Sequence, residues 1–151
     1  VLFLSDDRKE YLKNLPAQKE LKIEGVKILM VHGSPRRNNE DILPDMPIAQ
    51  IEEIIKGVSA DLVFCGHTHI PAGYQTSTKQ TVVNVGSVGR PMTKDAKSCY
   101  CIANFDNGSF AIEHRLLDYD REKAAEIMRS RAFDGAEKLA EMILHPTSRH
   151  V

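Results

Sequence analysis

Two short apolar runs, each discharged into a loop of glycine and histidine, constrain this chain more than any other feature. The first, Val26-Lys27-Ile28-Leu29-Met30-Val31, runs into His32-Gly33-Ser34-Pro35-Arg36-Arg37; the second, Leu62-Val63-Phe64-Cys65, runs into Gly66-His67-Thr68-His69. Such nearly continuous runs read as strands buried on both faces. Between them Pro47 suits the first turn of a helix, and Ile48, Ile51, Ile54 and Ile55 recur at helical spacing up to Gly57. Strand, helix, strand is a βαβ-like unit with a histidine loop at each strand's carboxyl end. The histidines are thereby brought to one edge of an open α/β sheet, the usual place for ligands.

Imidazole is the commonest metal-binding side chain and suits Zn, Fe, Ni and Cu. Residues i and i+2 of an extended segment share a face, so His67 and His69 would enter one pocket or serve two adjacent ions. A polar turn that merely carries two histidines is the competing reading. Cys65 would share that face too, which opens a Cys-x-His-x-His zinc site. Against this, Cys65 ends an apolar strand, where a free thiol behaves as a small core hydrophobe.

The remaining chain supplies punctuation. Leu2 to Leu4 reads as the end of a strand, and Ser5, Asp6 and Asp7 open a helix through Tyr11, Leu12 and Leu15 that Pro16 ends. Glu20 to Val31 reads as strand, Gly25, strand, with Leu21 and Ile23 alternating. Arg36 to Asp45 is polar and irregular, a surface loop. Short strands over Gly73–Thr76 and Gln80–Val85 lead into Asn84-Val85-Gly86-Ser87-Val88-Gly89-Arg90-Pro91, a tight loop whose amides face an anion or brace another loop. Asp106-Asn107-Gly108 joins the strands Ser98–Phe105 and Ser109–Leu116 as a hairpin. Asp120 caps a helix to about Arg131, and Asp134-Gly135-Ala136-Glu137 resembles a capping box before a last helix.

At 151 residues, the chain fits one domain with a real core. Its 42% apolar and 27% charged residues are ordinary for a soluble protein, and a net charge of -1 gives no footprint for nucleic acid or a membrane surface. No apolar run approaches the ~20 residues that cross a bilayer. Three cysteines argue against a disulfide framework and for a reducing, cytoplasmic setting. The chain opens on Val1 and an apolar tetrapeptide, and reads like a fragment that starts mid-protein.

In order and context, strand-His32-Gly33, strand-Gly66-His67-Thr68-His69 and Asn84-Val85-Gly86-Ser87 resemble the C-terminal half of the calcineurin-like metallophosphoesterase superfamily. His-Gly-Ser-Pro, Gly-Ser-Val-Gly-Arg-Pro and the tail Tyr119-Asp120-Arg121-Glu122-Lys123 are similar to its small phosphodiesterase-like branch. The resemblance covers essentially the whole chain. It implies an α/β fold, an αββα sandwich of mixed sheets, present here as its C-terminal portion: a core over residues 1–118 and two C-terminal helices over 119–151.

It further implies a phosphoesterase, one that acts on phosphodiesters, with two divalent ions (Mn, Fe, Zn or Ni) about 3.5–4 Å apart that activate water. His32 and His67 resemble ligands of one ion and His69 a ligand of the other. Asn84 and Ser87 are candidates to brace these ligands, and Arg36 and Arg90 to meet substrate phosphate. The superfamily's Asp-x-His, Gly-Asp and Gly-Asn-His segments are absent from this chain. Without the bridging carboxylate, two dications would repel each other across neutral imidazoles. No residue here is assigned to the chemical step, and the expected partners are a phosphate ester and either the N-terminal half of the domain or a self-associated copy. A scaffold of the same fold and a mononuclear zinc hydrolase are the alternatives.

Overall fold

A computed structural model describes residues 4–146. The elements are α1 (Asp6–Lys13), β1 (Gln18–Ile23), β2 (Val26–Val31), α2 (Ile48–Ile54), β3 (Leu62–Cys65), β4 (Ala72–Gln75), β5 (Thr81–Asn84), β6 (Ser98–Asp106), β7 (Ser109–Leu117), α3 (Arg121–Arg129) and α4 (Ala136–Leu144). The strand expected at Leu2–Leu4 lies largely outside the described residues; Leu4 itself sits in a bend before α1.

The mixed five-stranded sheet has the order β1-β2-β3-β5-β4. Its three central strands β2, β3 and β5 are parallel, and β1 and β4 close the edges antiparallel. α2 packs one face: Ile51, Ile54 and Ile55 meet Leu29, Val63, Cys65 and Val82. The β6–β7 hairpin covers part of the other, where Val26, Ile28, Leu62 and Val83 meet Phe105, Phe110 and Ile112. Burial on both faces thus holds for β3 and for Ile28 and Leu29 of β2, while Lys27 and Met30 are exposed.

The hairpin turns through Asn107 (φ +44°) and Gly108 (φ +82°), the paired positive values that a two-residue turn between twisted strands requires. Gly108 N–H donates to Glu24 O at 2.7 Å, tying the hairpin tip to the β1–β2 turn.

β1 is exposed along its whole length, with Leu21 and Ile23 opposite Ile28 and Val26. Two local expectations change. The last helix has no capping box. Gly135, in the left-handed conformation at φ +97°, takes the N-cap position, and no side chain bonds there. Pro47 sits at the N-cap of α2 rather than inside it. Asp120 does cap α3, accepting from Lys123 N–H at 2.9 Å.

Candidate metal and phosphate site

β2, β3 and β5 end side by side, and every residue of the site leaves from those three carboxyl ends. His32 follows β2, Gly66 to His69 follow β3, and Asn84 ends β5. The ladder extends one step beyond the strands, with Gly66 N–H donating to His32 O at 2.8 Å and Val85 N–H to Cys65 O at 2.9 Å.

The segment after β3 is not extended. His67 and His69 both adopt left-handed backbone, φ +64° and +63°. Thr68 N–H donates to Gly66 O at 2.7 Å, which makes His67 the centre of a γ-turn of the rare positive-φ form. A non-glycine residue held there carries strain that the surroundings must over-determine. The over-determination comes from Asn84, which is fully buried. Its Nδ2 donates to Gly66 O and Thr68 Oγ1, each at 2.8 Å, with a longer contact to Ile42 O at 3.3 Å; its Oδ1 accepts from Gly86 N–H at 3.1 Å. His114 of β7 donates from Nε2 to Asn84 O at 2.8 Å, fastening the hairpin to the same point.

These turns bring His32 and His67 together. His67 Nδ1 and His32 Nε2 face each other at 3.3 Å, with the rings in a T-shaped arrangement. The edge of a tetrahedral shell with metal–nitrogen bonds of about 2.0–2.1 Å is itself about 3.3 Å, so this pair fits two positions on one ion. His69 turns the other way and donates from Nδ1 to Arg90 O at 2.7 Å, the tautomer that leaves the lone pair on Nε2. All three histidines, with Thr68, Arg90 and Met92, line a cavity of about 150 Å³. Among the described residues no three His, Cys, Asp or Glu side chains converge closely enough to enclose an ion.

The bracing of the imidazoles differs from the expectation. Asn84 holds the backbone of the loop rather than a ring nitrogen. Ser87 Oγ accepts from Arg90 N–H at 3.0 Å and so steadies the carbonyl that His69 uses. The residue that composition alone did not single out is Asp41, whose Oδ1 lies 3.5 Å from His67 Nε2. Its only sequence signal was an acidic residue in a loop shared with His32.

The two arginines part company. Arg90 lines the histidine cavity, and its Nε is buried with no hydrogen-bond partner. Arg36 is committed to Glu40, from Nε at 3.1 Å and Nη2 at 2.5 Å, and lines neither cavity beside the histidines. Cys65 packs in the core under α2 and does not line the histidine cavity; burial there pushes its thiol up to about 12. His32, His67 and His69 also line a larger cavity of about 610 Å³, walled by Met30, Phe64, Val88, Cys99 and Cys101.

The sequence pattern of the calcineurin-like phosphoesterase superfamily domain matches residues 4–108. The chain belongs to that superfamily. The uncharacterized protein MJ0912 of Methanocaldococcus jannaschii is 30% identical over 139 residues, 82% of this chain and 54% of that protein. The hypothetical protein PH1004 from Pyrococcus horikoshii superposes with a TM-score of 0.75 at 24% identity, covering 89% of this chain and 53% of that one. A metallophosphoesterase from Sphaerobacter thermophilus gives 0.74 at 21% identity, covering 95% and 64%. The calcineurin-like fold is thus shared, and the chain spans little more than half the length of these relatives. Among the described residues no helix is long and apolar enough to cross a membrane.

Proposed function

We propose that this chain carries the histidine side of a metal-dependent phosphodiesterase site. The observation that carries the reading is the 3.3 Å approach of His67 Nδ1 to His32 Nε2, beside a third histidine and a buried guanidinium nitrogen in one cavity. Two bound divalent ions, manganese being the first candidate, would neutralise phosphate charge and supply a nucleophilic water at neutral pH. The chain's own contribution is positional. His32 and His67 serve one ion and His69 the other, the Asn84 carboxamide keeps the His67 turn in its strained form, and Arg90 offers its guanidinium to a phosphate oxygen. The carboxylates that hold two dications together would come from a partner, either the N-terminal half of the domain or a self-associated copy. The setting is cytoplasmic, in keeping with three free cysteines.

The test uses the longest form of the protein that its gene encodes, loaded with Mn and offered a generic aryl phosphodiester. Turnover that falls with the metal content of His67→Ala supports the reading. No cleavage, with metal content unchanged in His67→Ala, overturns it. The 151-residue chain carries none of the superfamily's acidic metal-binding segments, which favours a second reading, a scaffold of this fold. The scaffold reading predicts no turnover at any length and a protein partner retained by His67→Ala.

A further inference from the structure

Asp41 stands apart from the residues that the superfamily pattern brings to mind, and its placement is built from both sides. On one side Glu40 is a knot: Ser34 Oγ donates to its Oε2 at 2.5 Å, and Arg36 and Arg37 donate to its oxygens at 2.5–3.1 Å. On the other side Ile42 is 1% exposed in the core, and its carbonyl accepts from Asn84 Nδ2. Gly33 lets the loop close on itself, since a Cβ there would lie 2.5 Å from Asn38 O and 2.7 Å from Arg37 O. Asp41, caught between these two anchors, presents Oδ1 at 3.5 Å from His67 Nε2.

From this arrangement we infer that Asp41 is the positioning residue of His67: it holds the proton on Nε2 and so keeps the Nδ1 lone pair turned toward His32. An imidazole ligand is oriented by the group that accepts from its other nitrogen, and a carboxylate in that role also makes the ring a stronger donor. The geometry is complementary. With His67 Nε2–H directed at Asp41, His67 Nδ1 accepts from His32 Nε2–H in the metal-free chain, and the same Nδ1 is free to ligate once the His32 proton moves to its other nitrogen. If Asp41 were absent, the opposite tautomer would satisfy the pair equally well, with His67 Nδ1–H donating to His32, and the lone pair would point away from the shared position. The inference rests on the proposed metal site for its consequence, but not for its first observable.

The experiment therefore has two readouts on the 151-residue chain. With 15N-labelled histidine, at about pH 8 where imidazoles are neutral, long-range 1H–15N spectra of the metal-free protein report the His67 tautomer. The wild type and Asp41→Asn, which keeps an acceptor oxygen, are expected to show His67 as the Nε2–H form; Asp41→Ala is expected to show a mixture. Zinc titration is expected to weaken about 10–100-fold in Asp41→Ala and to stay within a few-fold of wild type in Asp41→Asn. Asp41 is 42% exposed at the side chain, so the alanine variant removes little packing, and far-UV dichroism checks the fold. An unchanged tautomer in Asp41→Ala overturns the inference, as does a changed tautomer with unchanged zinc affinity. Zinc affinity unaltered by His67→Ala would instead sink the metal reading, while the tautomer result stands by itself.

Discussion

At the scale of single residues, Asn84 joins three segments through one carboxamide. Two amide hydrogens serve the Gly66 carbonyl and the Thr68 hydroxyl, and the carboxamide oxygen takes the buried Gly86 amide. Asn84→Ala removes two donors from the loop and leaves the buried Gly86 N–H without its acceptor, which costs ~1–3 kcal/mol for such a group. Urea unfolding is expected to show that loss, and amide exchange at Gly86 is expected to accelerate beyond the global change. Asn84→Asp keeps the shape but turns a donor into a charged acceptor facing two oxygens, and it should be no better tolerated. Asn84 and the three histidines were legible in the sequence because they follow apolar runs. Asp41 was not, because its role depends on how a nine-residue loop folds over Gly33, which no periodicity encodes. The left-handed backbone at His67 and His69 was hidden for a related reason: an alternating pattern presumes extended chain, and here hydrogen bonds from a different strand decide the turn.

At the scale of elements, the loop over residues 34–42 has no regular structure and is pinned by charged hydrogen bonds. Glu40 is 10% exposed at the side chain and receives Arg36, Ser34 and Arg37, and the Arg36 hydrogen bond, foremost among these, holds its carboxyl down at about 2 against an ordinary 4.5. A group whose folded value lies below its unfolded one stabilises fully above the unfolded value and loses that contribution as pH falls toward the folded one. The window here runs from about 4.5 down to about 2. Glu40→Gln is therefore expected to be less stable than wild type at neutral pH and to show a shallower acid loss within that window, followed by urea midpoints at successive pH values. Elements whose signals are local were legible: the Asn107-Gly108 turn, the Asp120 cap and the isoleucine stripe of α2. β1, where Leu21 and Ile23 alternate, is exposed along its length: alternation specifies a face, while a neighbouring element has to supply the cover.

At the scale of the whole molecule, the described fold leaves much surface open. The chain exposes 10012 Å² for a mass of 16.9 kDa. A compact monomer of that mass exposes roughly 7,700 Å² by the usual area scaling, so the surplus of about 2,300 Å² is nearly three times the ~800 Å² that one partner gives to a standard protein interface. Part of it is the strip of Met30, Val88 and Tyr100 beside the histidine loops, with Val88 67% exposed. A chain with such a face is expected to self-associate when expressed alone. Light scattering after size exclusion should find dimers or larger species at micromolar concentration, shifted toward monomer by Met30→Glu with Val88→Glu. A monodisperse wild-type monomer that melts cooperatively would contradict this.

The γ-turn at His67 has a consequence for how this protein tolerates change. A glycine at that position would relieve the positive φ without disturbing the Gly66–Thr68 bond, so thermal robustness and the imidazole are in direct competition at a single codon. Libraries selected only for heat resistance would drift toward losing the side chain on which the proposed chemistry depends. Selection that scores metal retention alongside melting would keep it.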